Sequence, residues 1–184
     1  MKVKKLNAWL SLLLIIVLLL HMGYQTISYL IFYYNPTIQR FLVFFTAVLI
    51  IIHAALSMFS VFVLHDSRKI VYKKLNARTL LQRISAGAIV VLLPLHISTF
   101  RLLGKTAGTN MFYMTEAAQA LFHAAILLHV SVSFSNALIS AGLLEDERKR
   151  YLIDRCTWVI CAVLFLIVTV VITYTQLRIF GVRL

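Results

Sequence analysis

FLVFFTAVLIIIHAALSMFSVFVL, residues 41–64, carries no aspartate, glutamate, lysine or arginine, and one histidine, His53, stands near its middle. A helix rises about 1.5 Å per residue, so a run of this length crosses a hydrocarbon core of roughly 30 Å. Four further runs read the same way, at residues 6–29, 82–103, 117–143 and 156–177, and none of the five contains an acid. In lipid each segment must satisfy its own backbone hydrogen bonds, so all five are expected to be helices. The expected fold is an all-α integral membrane protein: a five-transmembrane-helix bundle, one domain over residues 1–184.

Composition agrees. Of 184 residues, 61% are hydrophobic and 13% charged, against about half and about a quarter in soluble domains. Proline occurs only as Pro36 and Pro94, and there are 6 glycines, too few turn residues for a soluble core of this length. The net charge of +12 invites a nucleic-acid reading. The charges, however, sit in short clusters between apolar runs, which membrane topology explains and a nucleic-acid face does not. Cys156 and Cys161 are five residues apart in the last run, a spacing that fits neither a CxxC pair nor a zinc site, and no CxxCH occurs. The first run follows Lys2, Lys4 and Lys5 like a signal peptide. It lacks a small-x-small cleavage site and continues into a Tyr-rich interfacial segment, so it reads as a retained helix.

Basic residues set the orientation. Of the 18 lysines and arginines, the N-terminal cluster, Arg68 to Arg83 and Arg148 to Arg155 fall on one side; Arg40, Arg101, Lys105, Arg178 and Arg183 fall on the other. The richer side is cytoplasmic, which places the N-terminus inside and the C-terminus outside. Asp66, Glu145, Asp146, Glu147 and Asp154 share the inner side. Its loops thus carry both signs of charge, as a docking face for a soluble partner would, or as simple solvation requires. The outer loops, 31–40 and 104–116, are richer in aromatic and uncharged polar residues.

The histidines carry the chemistry. His21 lies in the first run, His53 in the second, His96 in the third, and His123 and His129 in the fourth; His65 is interfacial. An ionisable side chain at membrane depth costs a few kcal/mol and marks a functional site by default. One such histidine reads as an interhelical hydrogen-bond partner. Four helices each bringing one, with no intramembrane carboxylate beside them, read differently. Proton relays mix histidine with acids, and zinc wants ligands converging at one depth. Two imidazoles facing each other across a helix gap suit low-spin haem iron, which takes two axial ligands.

Depth suggests the pairing. His21 is sixteen residues past Lys5 and His96 thirteen past Arg83, which puts both about 20–24 Å from the inner flank. His53 is thirteen past Arg40 and His129 thirteen past Glu116, so both lie roughly 20 Å from the outer flank. The outer pair is then His21 with His96, and the inner pair His53 with His129. Polar stripes follow these faces: Ser57 and Ser60 from His53, Ser133, Asn136 and Ser140 from His129, Gln25 and Ser28 from His21, Thr99 from His96. Ser85 shares the face of His96 eleven residues earlier and points to the inner level. Small-polar helix packing produces such stripes too. His123, near the outer level, is a rival ligand or a quinone hydrogen-bond partner.

Five helices with histidines in the first four resemble the di-haem cytochrome b anchor of succinate dehydrogenases and fumarate reductases, of the b558 kind. The segment Leu81-Gln82-Arg83-Ile84-Ser85, with His96 and Arg101 downstream, is similar to that family's Gln-Arg-Val-Thr-Gly segment. The stretch from Leu128-His129 to Asn136-Ala137 resembles its fourth-helix ligand region. The resemblance implies two haem b groups, no dicarboxylate chemistry in this chain, and flavoprotein and iron–sulfur subunits docked on the cytoplasmic side of a bacterial inner membrane. Electrons would pass between that iron–sulfur subunit and a quinone, usually menaquinone, near the outer haem. Arg83 and Arg101 would neutralise propionates or hold quinone oxygens. Glu116, the only outer acid, would exchange quinone protons beside Tyr24, Gln25 and Arg101; a helix-start acid stabilised by the N-terminal dipole is the plainer role for it. Two departures stand out: Ala86 with Gly87 displaced by one, and Leu127-Leu128 where some members carry a carboxylate before the fourth histidine. The competing expectations are a cytochrome b anchor of hydrogenase or formate dehydrogenase type, and a haem-free small transporter or scaffold.

Overall fold

The computed structural model describes residues 2–63 and 73–180, with side chains from 3 to 63 and from 77 to 180. His65 and the neighbouring Asp66, Arg68 and Lys69 lie outside the described residues. The chain is all-helical, with no strand among the described residues. Its elements are α1 (Lys2–Ile31), α2 (Pro36–Phe62), α3 (Lys73–Thr106), α4 (Asn110–Ala141) and α5 (Glu147–Ile179). All five are long and apolar enough to cross a membrane.

The helices overrun the apolar windows at nearly every end. Hydropathy marks only what lipid tails cover, whereas the backbone stays helical until something else caps it. Pro36 opens α2 because its missing N–H is not needed at the first helical position. Asn35 caps that helix, its side-chain oxygen accepting from Thr37 N at 3.0 Å and Ile38 N at 3.2 Å. Much of the connecting stretch 31–40 is therefore helix. So is most of 104–116, since α4 starts at Asn110. The other end of α4 closes on Gly142, whose φ of 82° is open to glycine at little cost. The amide of Leu143 reaches back to Leu138 O at 2.9 Å. Asp146 then caps α5 through Arg148 N at 2.8 Å.

What faces in and out is inverted relative to a soluble protein. Leucine, isoleucine, valine and phenylalanine lie exposed along every helix: Leu20, Ile51, Phe62, Val91, Ile97 and Val170 are examples. Ser85, Ser131 and Ser135 are among the most deeply buried side chains. With lipid outside there is no gain in hiding leucine, and small hydroxyl residues let helices approach and bond.

The chain divides into two compact units. The first comprises Met1–Asn76 and Ser133–Thr157, the second Ala77–Val132 and Trp158–Leu184. In the first, α1 packs along α2. The Tyr24 hydroxyl holds the turn between them, accepting from Asn35 N at 2.8 Å and lying 3.0 Å from Asn35 O, to which it donates. Asn136 of α4 accepts from the Arg150 guanidinium of α5 at 3.2 Å. In the second unit Leu103, Phe112 and Leu177 form an apolar cluster with Phe180 packed against it. Arg78 donates from Nε to the backbone oxygen of Val132 at 2.6 Å.

Candidate functional site

His53, in the middle of α2, meets α1. Its Nδ1 lies 3.0 Å from Asn7 Oδ1 and 3.2 Å from Ser11 Oγ. The amide nitrogen of Asn7 donates to Ser57 Oγ at 3.1 Å, which fixes the oxygen toward the imidazole. Ser11 gives its proton to Asn7 O at 2.7 Å, so toward His53 its hydroxyl accepts. Nδ1 therefore carries the ring proton. A neutral imidazole protonated there keeps its lone pair on Nε2, the tautomer a metal ligand needs.

The second unit repeats the arrangement with other groups. His129 Nδ1 lies 3.2 Å from the backbone oxygen of Gln82 and 3.2 Å from Ser85 Oγ. A carbonyl only accepts, and Ser85 directs its proton to Leu81 O at 2.7 Å or Gln82 O at 3.1 Å. His129 is thus also protonated at Nδ1. Ser85, expected from the sequence to look toward the inner haem, has its hydroxyl against this imidazole.

Each unit then carries a second histidine further along the same odd-numbered helix. His21 is ten residues beyond Ser11, about 15 Å along α1; His96 is eleven beyond Ser85, about 16 Å along α3. His21 is partly buried. His96 stacks on Phe122, ring centroids 4.5 Å apart and planes 22° from parallel. Its Nδ1 lies within reach of both ends of the Gln119 amide, 3.1 Å from Oε1 and 2.8 Å from Nε2. Thr99 bonds Gln119 Oε1 at 3.0 Å, and His123 Nε2 meets Gln119 Nε2 at 3.1 Å. His123 is thus tied through Nε2, the atom an iron ligand would use, to its own helix. His129 meets α3 at Ser85, and His96 stands eleven residues further along that helix.

The residues expected at the propionates and the quinone are divided between the two units. Tyr24 serves the α1–α2 turn, and Gln25 is partly buried beside it in the first unit. Arg83 and Arg101 are exposed, in the second. Glu116 requires a correction. It is not a helix-start acid, because α4 begins six residues earlier, and it stands within a membrane-crossing helix rather than outside one. It is 7% exposed. With the Gln176 amide turned to donate, its nitrogen lies 2.6 Å from Oε1 and 3.1 Å from Oε2, and the Thr173 hydroxyl bonds the carboxylate as well. The premise that no carboxylate shares the helices with the histidines therefore does not hold for α4.

Three residues at the heart of these contacts escaped the sequence reading: Asn7, Ser11 and Gln119. Each left a trace. Asn7 and Ser11 are polar residues one turn apart in an apolar run, and Gln119 stands one turn before His123.

Among the described residues no three histidine, cysteine, aspartate or glutamate side chains converge as a metal cluster. A bis-imidazole site uses only two. The donor set fits such ligation: His53 and His129 are each anchored through Nδ1, which in a neutral ring leaves the lone pair on Nε2, and His96 has an amide that accommodates the same tautomer. No family model matches the chain, and neither a curated protein nor a solved structure matches it.

Proposed function

We propose that the chain is a di-haem cytochrome b membrane anchor that carries electrons between a cytoplasmic iron–sulfur subunit and a membrane quinone, as in succinate:quinone oxidoreductases and fumarate reductases. The observation that carries this reading is the Nδ1 anchoring of His53 and His129, one in each unit, with a second imidazole level farther along each. Metal-bound histidines are characteristically held this way, the other ring nitrogen donating to a carbonyl or amide oxygen. In this reading His53 and His129 bind the inner iron and His21 and His96 the outer one. The haems supply one-electron chemistry when bound.

The protein's own part is positional. Asn7, Ser11, Ser85 and the Gln82 carbonyl hold two imidazoles neutral and correctly turned, and Phe122 limits rotation of a third. The exposed Arg83 and Arg101 are the cations available to propionates or quinone oxygens. The N-terminus lies in the cytoplasm, following the basic residues, and menaquinone or a related quinone is the membrane-side substrate. The setting is a bacterial cytoplasmic membrane, with flavoprotein and iron–sulfur subunits as partners.

The test uses the protein expressed with the genes that flank its own, in isolated membranes. Succinate should reduce a b-type α band that fumarate and a quinone reoxidise. Reduction by hydrogen or formate, with succinate inert, would assign the anchor to a different redox enzyme. A haem-free bundle is favoured by one observation, that the Gln119 amide suits either tautomer of His96. It predicts a colourless protein.

A further inference from the structure

We infer that the outward face of the first turns of α5 binds an anionic phospholipid, with Arg148 and Arg155 on its phosphate and Tyr151 and Leu152 against its glycerol and acyl part. Such a site would serve a haem-free bundle as well as a cytochrome.

Successive helical residues turn by about 100°, so Arg150, Ile153, Asp154 and Thr157 share one side of α5 and Arg148, Tyr151, Leu152 and Arg155 the opposite one. The first side packs. All four of its residues are partly buried, and the Arg150 guanidinium donates to Asn136 of α4 at 3.2 Å. The second side faces outward: both arginines are exposed, with Tyr151 70% and Leu152 61% exposed between them. Among the described residues no side chain is bonded to either guanidinium. The side of a membrane-crossing helix that is turned from its neighbour meets lipid, and its charged end meets the headgroups. Residues 156–177 hold no charge, so Arg155 stands where tails give way to headgroups, and Arg148 lies about 10 Å farther along the axis. Long arginine stems let both guanidinium groups reach the headgroup layer. Each can meet a phosphate with two parallel N–H donors. Tyrosine favours this level because its ring lies in an apolar layer while its hydroxyl stays in a polar one. Asp154 belongs to the packed side and Glu147 stands at the edge of the outer one, so the arc from Tyr151 to Leu152 holds two positive charges and no negative one. That excess favours an anionic headgroup over a zwitterionic one.

The experiment titrates the full chain in detergent with phosphatidylglycerol, and separately with phosphatidylcholine of the same chains, and counts bound lipid by native mass spectrometry. Wild type should prefer phosphatidylglycerol. Arg148→Gln with Arg155→Gln should weaken phosphatidylglycerol binding about 25-fold, about 5-fold for each arginine, and leave phosphatidylcholine unmoved. Arg40→Gln with Lys105→Gln takes the same charge from two other exposed positions and should leave the preference intact. No preference in wild type, an unchanged preference in the Arg148 and Arg155 variant, or an equal loss in the Arg40 and Lys105 variant would overturn the inference. Should the double arginine variant fail to assemble, Arg155→Gln alone decides by the same titration, with a loss of about 5-fold expected and none contradicting. If the double variant keeps its lipid preference but loses soluble subunits that co-purify with wild type, the face belongs to a soluble partner and the lipid site is refuted. A wild type without haem would defeat the cytochrome reading and leave this titration unaffected.

Discussion

In the first unit His53 gives its Nδ1 proton to a side chain, Asn7; in the second, His129 gives the corresponding proton to the main chain at Gln82. A serine stands beside each, Ser11 in one case and Ser85 in the other. The chain shows no internal sequence repeat, yet the two units arrive at one arrangement from different residues. The acceptor that holds an imidazole neutral is thus the shared requirement, and its chemical source is free to vary. The upper levels differ more. His96 has Gln119, Thr99, Phe122 and His123 around it. On α2, by contrast, the residues about ten positions before His53 are apolar apart from Thr46. That helix has no counterpart of Gln119 where the level of His21 falls.

Substitutions at these residues test the parallel between the two units. The largest effect belongs to the imidazoles themselves. Replacing His53 or His129 by alanine should each remove one haem of two, and the same one, as pyridine-haemochrome quantitation would read. Loss of different haems would separate the two histidines and dissolve the inner pair.

The acceptors come next and should behave unequally. Asn7→Leu removes a side-chain carbonyl that holds His53, and loss of such an outer-shell partner weakens retention about 10–100-fold. Ser85→Ala leaves His129 its Gln82 carbonyl. It should cost about 1 kcal/mol, roughly a 5-fold weakening. Haem release to apomyoglobin measures both, and equal effects would contradict the division between side-chain and main-chain anchoring.

His123→Phe should keep two haems per chain, since its Nε2 already serves Gln119. A drop to one haem would instead make His123 a ligand. The smallest effect is expected at Tyr24→Phe. It removes a hydroxyl from the α1–α2 turn and should lower stability in detergent by about 1 kcal/mol with haem content unchanged. A change in quinone affinity there would return Tyr24 to the quinone site.

The helices were legible in the sequence because lipid leaves a backbone one solution, and apolar runs free of acids are unmistakable. Same-face relations along one helix were legible as well. The turn of about 100° per residue puts Thr99 on the face of His96 and Ser57 on that of His53; Thr99 and His96 share Gln119, and Ser57 and His53 share Asn7. Partners on a neighbouring helix were not. Asn7 reaches His53 only when the register of α1 on α2 is known, and nothing local records that register. Glu116 was misplaced for a different reason. Hydropathy ends a span at the first charge, while α4 runs on from Glu116 toward Asn110 and buries the carboxylate against Thr173 and Gln176.

In the proposed function, four imidazoles on four helices hold two haems. The most direct measurement is haem b per chain in the protein purified with its neighbouring subunits, with the reduced-minus-oxidised spectrum as identification. The account predicts a b-type spectrum and about two haems per chain, falling to about one in each of the His21, His53, His96 and His129 variants. A well-folded, colourless protein, or a wild-type content unchanged in those variants, would contradict it.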